Sequence, residues 1–242
     1  AIDLFMQRLT DVQPDLLFFV SSVLVACPDD VHDVAQDTNY ALIAHRADYR
    51  PDRPFLPWAI GFARNQIRAY RLKRGRDRLV FDDTLLDLYT ESAFTGDTFA
   101  GSNADRIRHL QACLKKLPLR QRELVSRHYV ERLPFVRIAE AERKPESTIR
   151  MAVFRARKAL ADCMHRLCHL DVSGAAAEPA AAATELDVLL SEVVEAPAPS
   201  GRLPALFERL RRDPGAMTAY LEQSQLHFYL TEQARLHDIT LV

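Results

Sequence analysis

Wherever a period can be read in this chain, apolar residues return every three or four positions, a spacing that confines it to helices. Leu4, Leu9, Leu16, Leu17, Val20, Val23 and Leu24 form one such series, continued by Val31, Val34, Thr38, Ala41 and Leu42. Asp29 and Asp30, behind Pro28, suit the capped, electropositive start of a helix. A loop is predicted at Tyr49-Arg50-Pro51-Asp52-Arg53-Pro54, because each proline disfavours a helical predecessor. A helix over 57–74 then runs from apolar into basic, with Gly75 as its C-cap. Residues 82–105 read as an acidic linker holding one helical stretch at 85–89. Helices are predicted over 107–116, 120–129, 135–142 and 146–167; the last two, joined by Arg143-Lys144-Pro145, make a helix-turn-helix. A low-complexity linker at 171–185 precedes further helices at 186–194, 203–210 and 217–236. The fold class is all-α: domains at 1–81 and 106–170, an acidic connector at 82–105, and a helical segment at 186–242.

The formal charge of −1, from 32 Lys+Arg against 33 Asp+Glu, at first argues against a polyanionic partner. By segment it separates into −5 over 1–63, +6 over 64–78, −6 over 79–105, +10 over 106–168 and −6 over 169–242. Two basic blocks on two modules point to two polyanion-binding surfaces. The four cysteines, Cys27, Cys113, Cys163 and Cys168, are few and unevenly spaced, so a reduced, intracellular compartment is expected. The longest apolar runs are broken by Ser21 and Ser22, so neither a signal peptide nor a membrane span is expected.

The ordered motifs resemble those of bacterial ECF (extracytoplasmic-function) sigma factors. Asp33-Val34-Ala35-Gln36-Asp37-Thr38, Phe55-Leu56-Pro57-Trp58-Ala59 and Ala63-Arg64-Asn65 leading into Arg71-Leu72-Lys73-Arg74 resemble their region two. Leu114-Lys115-Lys116-Leu117-Pro118-Leu119-Arg120-Gln121-Arg122-Glu123-Leu124, then Thr148-Ile149-Arg150 and Arg155-Ala156-Arg157-Lys158-Ala159-Leu160, resemble region four. The basic run with Arg78-Leu79-Val80-Phe81 is most similar to the group common in planctomycetes and verrucomicrobia. One departure concerns the turn: Glu142-Arg143 stands where many helix-turn-helix sequences have Leu-Gly, so the arginine either strains a left-handed turn or takes another geometry.

The resemblance implies a cytoplasmic transcription-initiation factor that binds core RNA polymerase, through its beta-prime and beta subunits, and promoter DNA. Asp33, Gln36, Asp37 and Asn39 would dock the beta-prime coiled coil. Arg53 in the base-capturing loop, with Arg64, Asn65, Arg68, Arg71 and Lys73, would hold the melted minus-ten strand. Trp58 and Phe62, at helical spacing, read as core rather than stacking platforms. For the minus-thirty-five duplex, Ser147, Thr148, Arg150 and Met151 would lie near base edges and Arg155, Arg157 and Lys158 near phosphates. Arg150 is the residue best suited to direct readout of guanine.

Beyond residue 170, residues 206–214, 220–221 and 226–230 resemble the helical N-terminal part of FecR-like anti-sigma proteins. An acidic tail tethered beside a basic module would inhibit in cis, unless a separate anti-sigma factor does so. No catalytic constellation is present in the sequence, so no enzyme activity and no cofactor are expected. Cys163, His165, Cys168 and His169 read as helix-terminal packing rather than a zinc site. The competing functional reading is a helix-turn-helix regulator acting without core polymerase.

Overall fold

The structure, a computed structural model, describes residues 2–73, 81–95, 98, 101–168, 184–194 and 201–235. Gly75, His169, the side chain of Cys168 and residues 78–80, 171–183 and 196–200, which carry several sequence expectations, lie outside them. The helices run α1 (Ile2–Asp11), α2 (Gln13–Val23), α3 (Val31–Ala44), α4 (Phe55–Lys73), α5 (Asp83–Thr95), α6 (Asn103–Lys116), α7 (Leu119–Val125), α8 (Phe135–Glu142), α9 (Glu146–Cys168), α10 (Glu185–Val194), α11 (Leu203–Arg212) and α12 (Pro214–Arg235). No strand occurs among the described residues, so the fold is all-α as the spacing predicts. The chain divides into two units, residues 1–99 with 196–218 and residues 100–195 with 219–242. The 186–242 segment is therefore shared between them.

In the first unit α2 is apolar nearly all round, which suits a helix packed on several sides. Phe18, Phe19, Val20 and Val23 are fully buried, with Leu42 of α3 and Ala59, Ala63 and Ile67 of α4. Each large apolar side chain so buried contributes about 1.5–3 kcal/mol. Asp30 precedes α3 without capping it; its carboxylate accepts from the Tyr70 hydroxyl of α4 at 2.8 Å. Burial, with bonds to Cys27 and Asp30, pushes that phenol well above its ordinary range.

The expected acidic linker is instead partly core. Leu85, Leu86, Tyr89 and Ala93 recur at helical spacing on α5 and are fully buried. Tyr89 stands edge-on to Phe19 at 5.5 Å, and its hydroxyl bonds that of Ser22. On α5 also packs α11, with Phe207 edge-on to Phe81 at 5.0 Å.

In the second unit, α6 to α9 enclose Leu110, Leu114, Leu124, Val125, Ile138, Ile149, Val153 and Leu160. Between α7 and α8, Ser126–Val130 widens into a π-turn. The expectation of reduced cysteines is not met at two positions: Cys113 of α6 and Cys163 of α9 form a disulfide, their Cα atoms 5.8 Å apart. Cys163 is thereby withdrawn from the Cys/His cluster noted in the sequence.

The turn of the helix-turn-helix resolves the Glu142-Arg143 departure. Arg143 adopts the left-handed conformation, φ 52° and ψ 45°. Its N–H donates to Glu140 O at 3.2 Å and that of Lys144 to Ala139 O at 3.0 Å, the paired closure that glycine ordinarily makes. Glu142 is held by Arg127 at 3.0 Å and Arg120 at 3.3 Å, which fixes the helix end from α7 and the π-turn. A left-handed non-glycine residue costs about 1–2 kcal/mol, part of which glycine returns as unfolded-state freedom. Exposed Arg143→Gly is therefore expected to stabilise the protein by about 0.5–1 kcal/mol in denaturant titration; a loss would mean that the arginine side chain, not the turn, matters here.

Candidate nucleic-acid and polymerase interfaces

The expected polymerase-facing residues divide. Asp33, Gln36 and Asp37 are exposed on one side of α3 and extend to Tyr40, whose hydroxyl accepts from the Gln36 amide at 3.1 Å. Asn39 is half-buried, its amide exchanging two 2.9 Å hydrogen bonds with Gln13 of α2. It ties two helices together rather than standing free for a partner.

The loop before α4 is tied down by aromatic packing. The Tyr49 hydroxyl donates to Arg53 O at 2.7 Å, and Arg8 lies over the Tyr49 ring while donating to Pro51 O at 3.2 Å. Trp58 packs against Tyr49 at 5.1 Å and Phe62 at 4.9 Å, so both side chains join an aromatic cluster, but they are half-buried there rather than core as their spacing predicts. The Arg53 side chain, Asn65 and Lys73 are exposed. Arg64, Arg68 and Arg71 are not open to solvent in the same way, because they pair with Asp83 and Asp87 of α5.

In the helix-turn-helix, Ser147 and Thr148 at the start of α9 are exposed, and Met151 is half-buried. Arg150 pairs with Glu146 one turn back and lies over the Phe135 ring at 5.0 Å. That carboxylate holds the guanidinium against the first turns of α9. Arg155 and Lys158 are exposed. Arg157 departs from expectation: it is fully buried, so in this conformation it contacts no phosphate.

Two family descriptions match this sequence, sigma-70 region 2 over residues 9–77 and sigma-70 region 4 over residues 107–160. The chain carries sigma-70 regions 2 and 4. It is also 31% identical over 131 residues to the ECF RNA polymerase sigma factor SigD of Mycobacterium tuberculosis and to that of Mycobacterium bovis. Each match covers 54% of this chain and 61% of the relative. The region 2 match thus spans the end of α1 and α2 to α4, and the region 4 match most of α6 to α9, with the exposed candidates on α3, α4 and α9 inside the matched spans.

Arg157 owes its burial in the region 4 unit to residues beyond the match. On α9, Phe154, Arg157, Ala161 and Met164 form a second buried stripe beside the one facing region 4's own core. Arg157 Nε donates to Gln223 Oε1 of α12 at 3.1 Å, and Nη1 to the Tyr129 hydroxyl at 3.1 Å. That hydroxyl lies 3.0 Å from His227 Nδ1. Arg157 Nη1, which can only donate, lies 3.5 Å from the same nitrogen, so Nδ1 accepts there. Nearby, Lys158 lies 3.9 Å from Asp187 of α10 and His165 3.4 Å from Glu222 of α12. Asp187 and Thr184 cap α10 reciprocally, which sets that carboxylate in place. No described helix is long and apolar enough to cross a membrane.

Burial lowers His227 to about 3, helped by the charge of Arg157 and by His128. Burial likewise lowers His128 to about 4, with Arg157 and Arg150 adding to it and the Leu133 carbonyl opposing. The unfolded chain therefore binds protons that the folded chain refuses. Stability is full above the ordinary histidine range and falls as pH drops through it, levelling only near those two values. Between about pH 7 and about pH 5.5 a loss of about 1 kcal/mol per histidine is expected, with His227→Gln flattening the curve. A melting temperature unchanged over that interval would contradict the packing of α12 on region 4.

Arg8, Asp83, Asp87 and Gln223 are absent from the sequence-based candidates. Asp83 and Asp87 stand at i, i+4 on a segment whose apolar period is readable, so that signal exists; nothing local marks Arg8 or Gln223.

Proposed function

We propose that this chain is an ECF-type sigma factor that directs core RNA polymerase to promoters. Region 2 serves the minus-ten element and region 4 the minus-thirty-five element, and the helices after region 4 hold the factor in check. The matches to regions 2 and 4 in one chain carry the first part, supported by the acidic side of α3 and the exposed polar start of α9. Asp33 and Asp37 face the polymerase, Arg53, Asn65 and Lys73 the melted strand, and Ser147, Thr148, Met151 and Arg155 the duplex.

The second part rests on one observation: Arg157 and Lys158, two of three cations expected at phosphates, are engaged by Gln223 and Asp187 from beyond region 4. A cation held in a buried hydrogen-bond network cannot also neutralise a phosphate, so DNA and the C-terminal helices compete for α9. The C-terminal helices thus act as the anti-sigma-like part that their sequence resembles.

Co-purification with core RNA polymerase tests the first part. Stable association is expected, and Asp33→Arg with Asp37→Arg should weaken it by about tenfold or more. Promoter binding without polymerase association would favour an autonomous regulator instead.

A further inference from the structure

The arginine row of α4 faces α5. Asp83 Oδ1 lies 3.0 Å from Arg68 Nε and 3.2 Å from Arg71 Nη1. One turn on, Asp87 meets Arg68 Nη2 at 3.4 Å and also pairs with Arg64. Residues 64, 68 and 71 share one side of α4, and residues 83 and 87 one side of α5, so the two rows run in register. The backbone under the carboxylates is fixed, because Leu85, Leu86 and Tyr89 are fully buried. At the start of α5, Asp82 accepts from the Leu85 N–H at 2.9 Å, and its other oxygen pairs with Arg211 of α11. The two guarding side chains remain free to turn, since Asp83 and Asp87 are 64% and 55% exposed. Either can swing into water while α5 stays where it is.

We propose that α5 is a built-in phosphate mimic, in which Asp83 and Asp87 occupy the arginine row of α4 and are exchanged for phosphates of the melted strand. The inference rests on the reading that α4 binds that strand. Solvent-exposed carboxylate–arginine pairs are individually weak, so a strand making several phosphate contacts at once displaces them. A polyanion with only one or two contacts does not. The mimic therefore sets a threshold against stray nucleic acid, and it lies within region 2's own unit, independent of Arg157 and α12.

Anisotropy titration of the full chain with a fluorescent single-stranded DNA oligonucleotide, repeated across salt concentrations, tests this. Asp83→Asn with Asp87→Asn keeps size and removes charge, and should tighten binding about tenfold at low salt. The gain should fade as salt rises. Arg68→Gln in the same background should abolish most of it. If the double asparagine variant binds no tighter while Arg68→Gln weakens the wild type, the mimic is refuted and the role of α4 stands. If Arg68→Gln weakens neither protein, the arginine row does not carry the strand, and both statements fall.

Discussion

Breaking the Cys113–Cys163 disulfide is expected to destabilise the region 4 unit by about 4 kcal/mol, the largest single effect in this molecule. The bond closes a loop between residues 50 apart in sequence, α6 to α9, so its main action is to restrict the unfolded chain. Both cysteines are buried, on helices that also bury Leu110, Leu114 and Leu160. Denaturant titration of the oxidised chain should give a higher midpoint than the reduced chain or Cys113→Ala with Cys163→Ala. Equal midpoints for oxidised and reduced protein would mean that the thiols remain unlinked in solution, as cysteine count and spacing alone suggest.

Gln223→Leu is expected to have the next largest effect, through Arg157. Arg157 is fully buried; Gln223 Oε1 of α12 accepts from its Nε at 3.1 Å, and His227 Nδ1 of the same helix lies 3.5 Å from its Nη1. Leucine fills similar space but accepts no hydrogen bond. A buried charged donor deprived of an acceptor costs about 2–3 kcal/mol, which shifts the balance between covered and uncovered α9 by about 30- to 150-fold. Region 4 should lose stability and gain affinity for duplex DNA together. Arg157→Gln in that variant should restore part of the stability without the gain in affinity. Loss of stability with no change in DNA binding would mean that α12 merely completes the region 4 core.

The helices are legible in the sequence because their apolar residues recur at one period and prolines mark their ends. The helix-turn-helix is legible for the same reason, but its turn is not: Glu142-Arg143 leaves two geometries open, and only the structure shows the left-handed one. What misleads is charge. Six carboxylates over 79–105 make that stretch resemble a solvated linker, although Leu85, Leu86, Tyr89 and Ala93 carry a buried stripe among them. Arg157 misleads in the opposite sense. Read along α9 alone it belongs with Arg155 and Lys158, and only α12, 66 residues further on, turns that position into core. Spacing cannot reveal the Cys113–Cys163 pair either, because it depends on how α6 and α9 pack. Tertiary partners far along the chain account for each of these differences.

Run-off transcription with core RNA polymerase on genomic template, comparing the full chain with Gln223→Leu, tests promoter-directed initiation and its restraint by α12 together. Transcripts are expected from the same start sites with both proteins, more abundant with the variant, and none with core polymerase alone. Start sites unaffected by adding either protein would contradict this expectation.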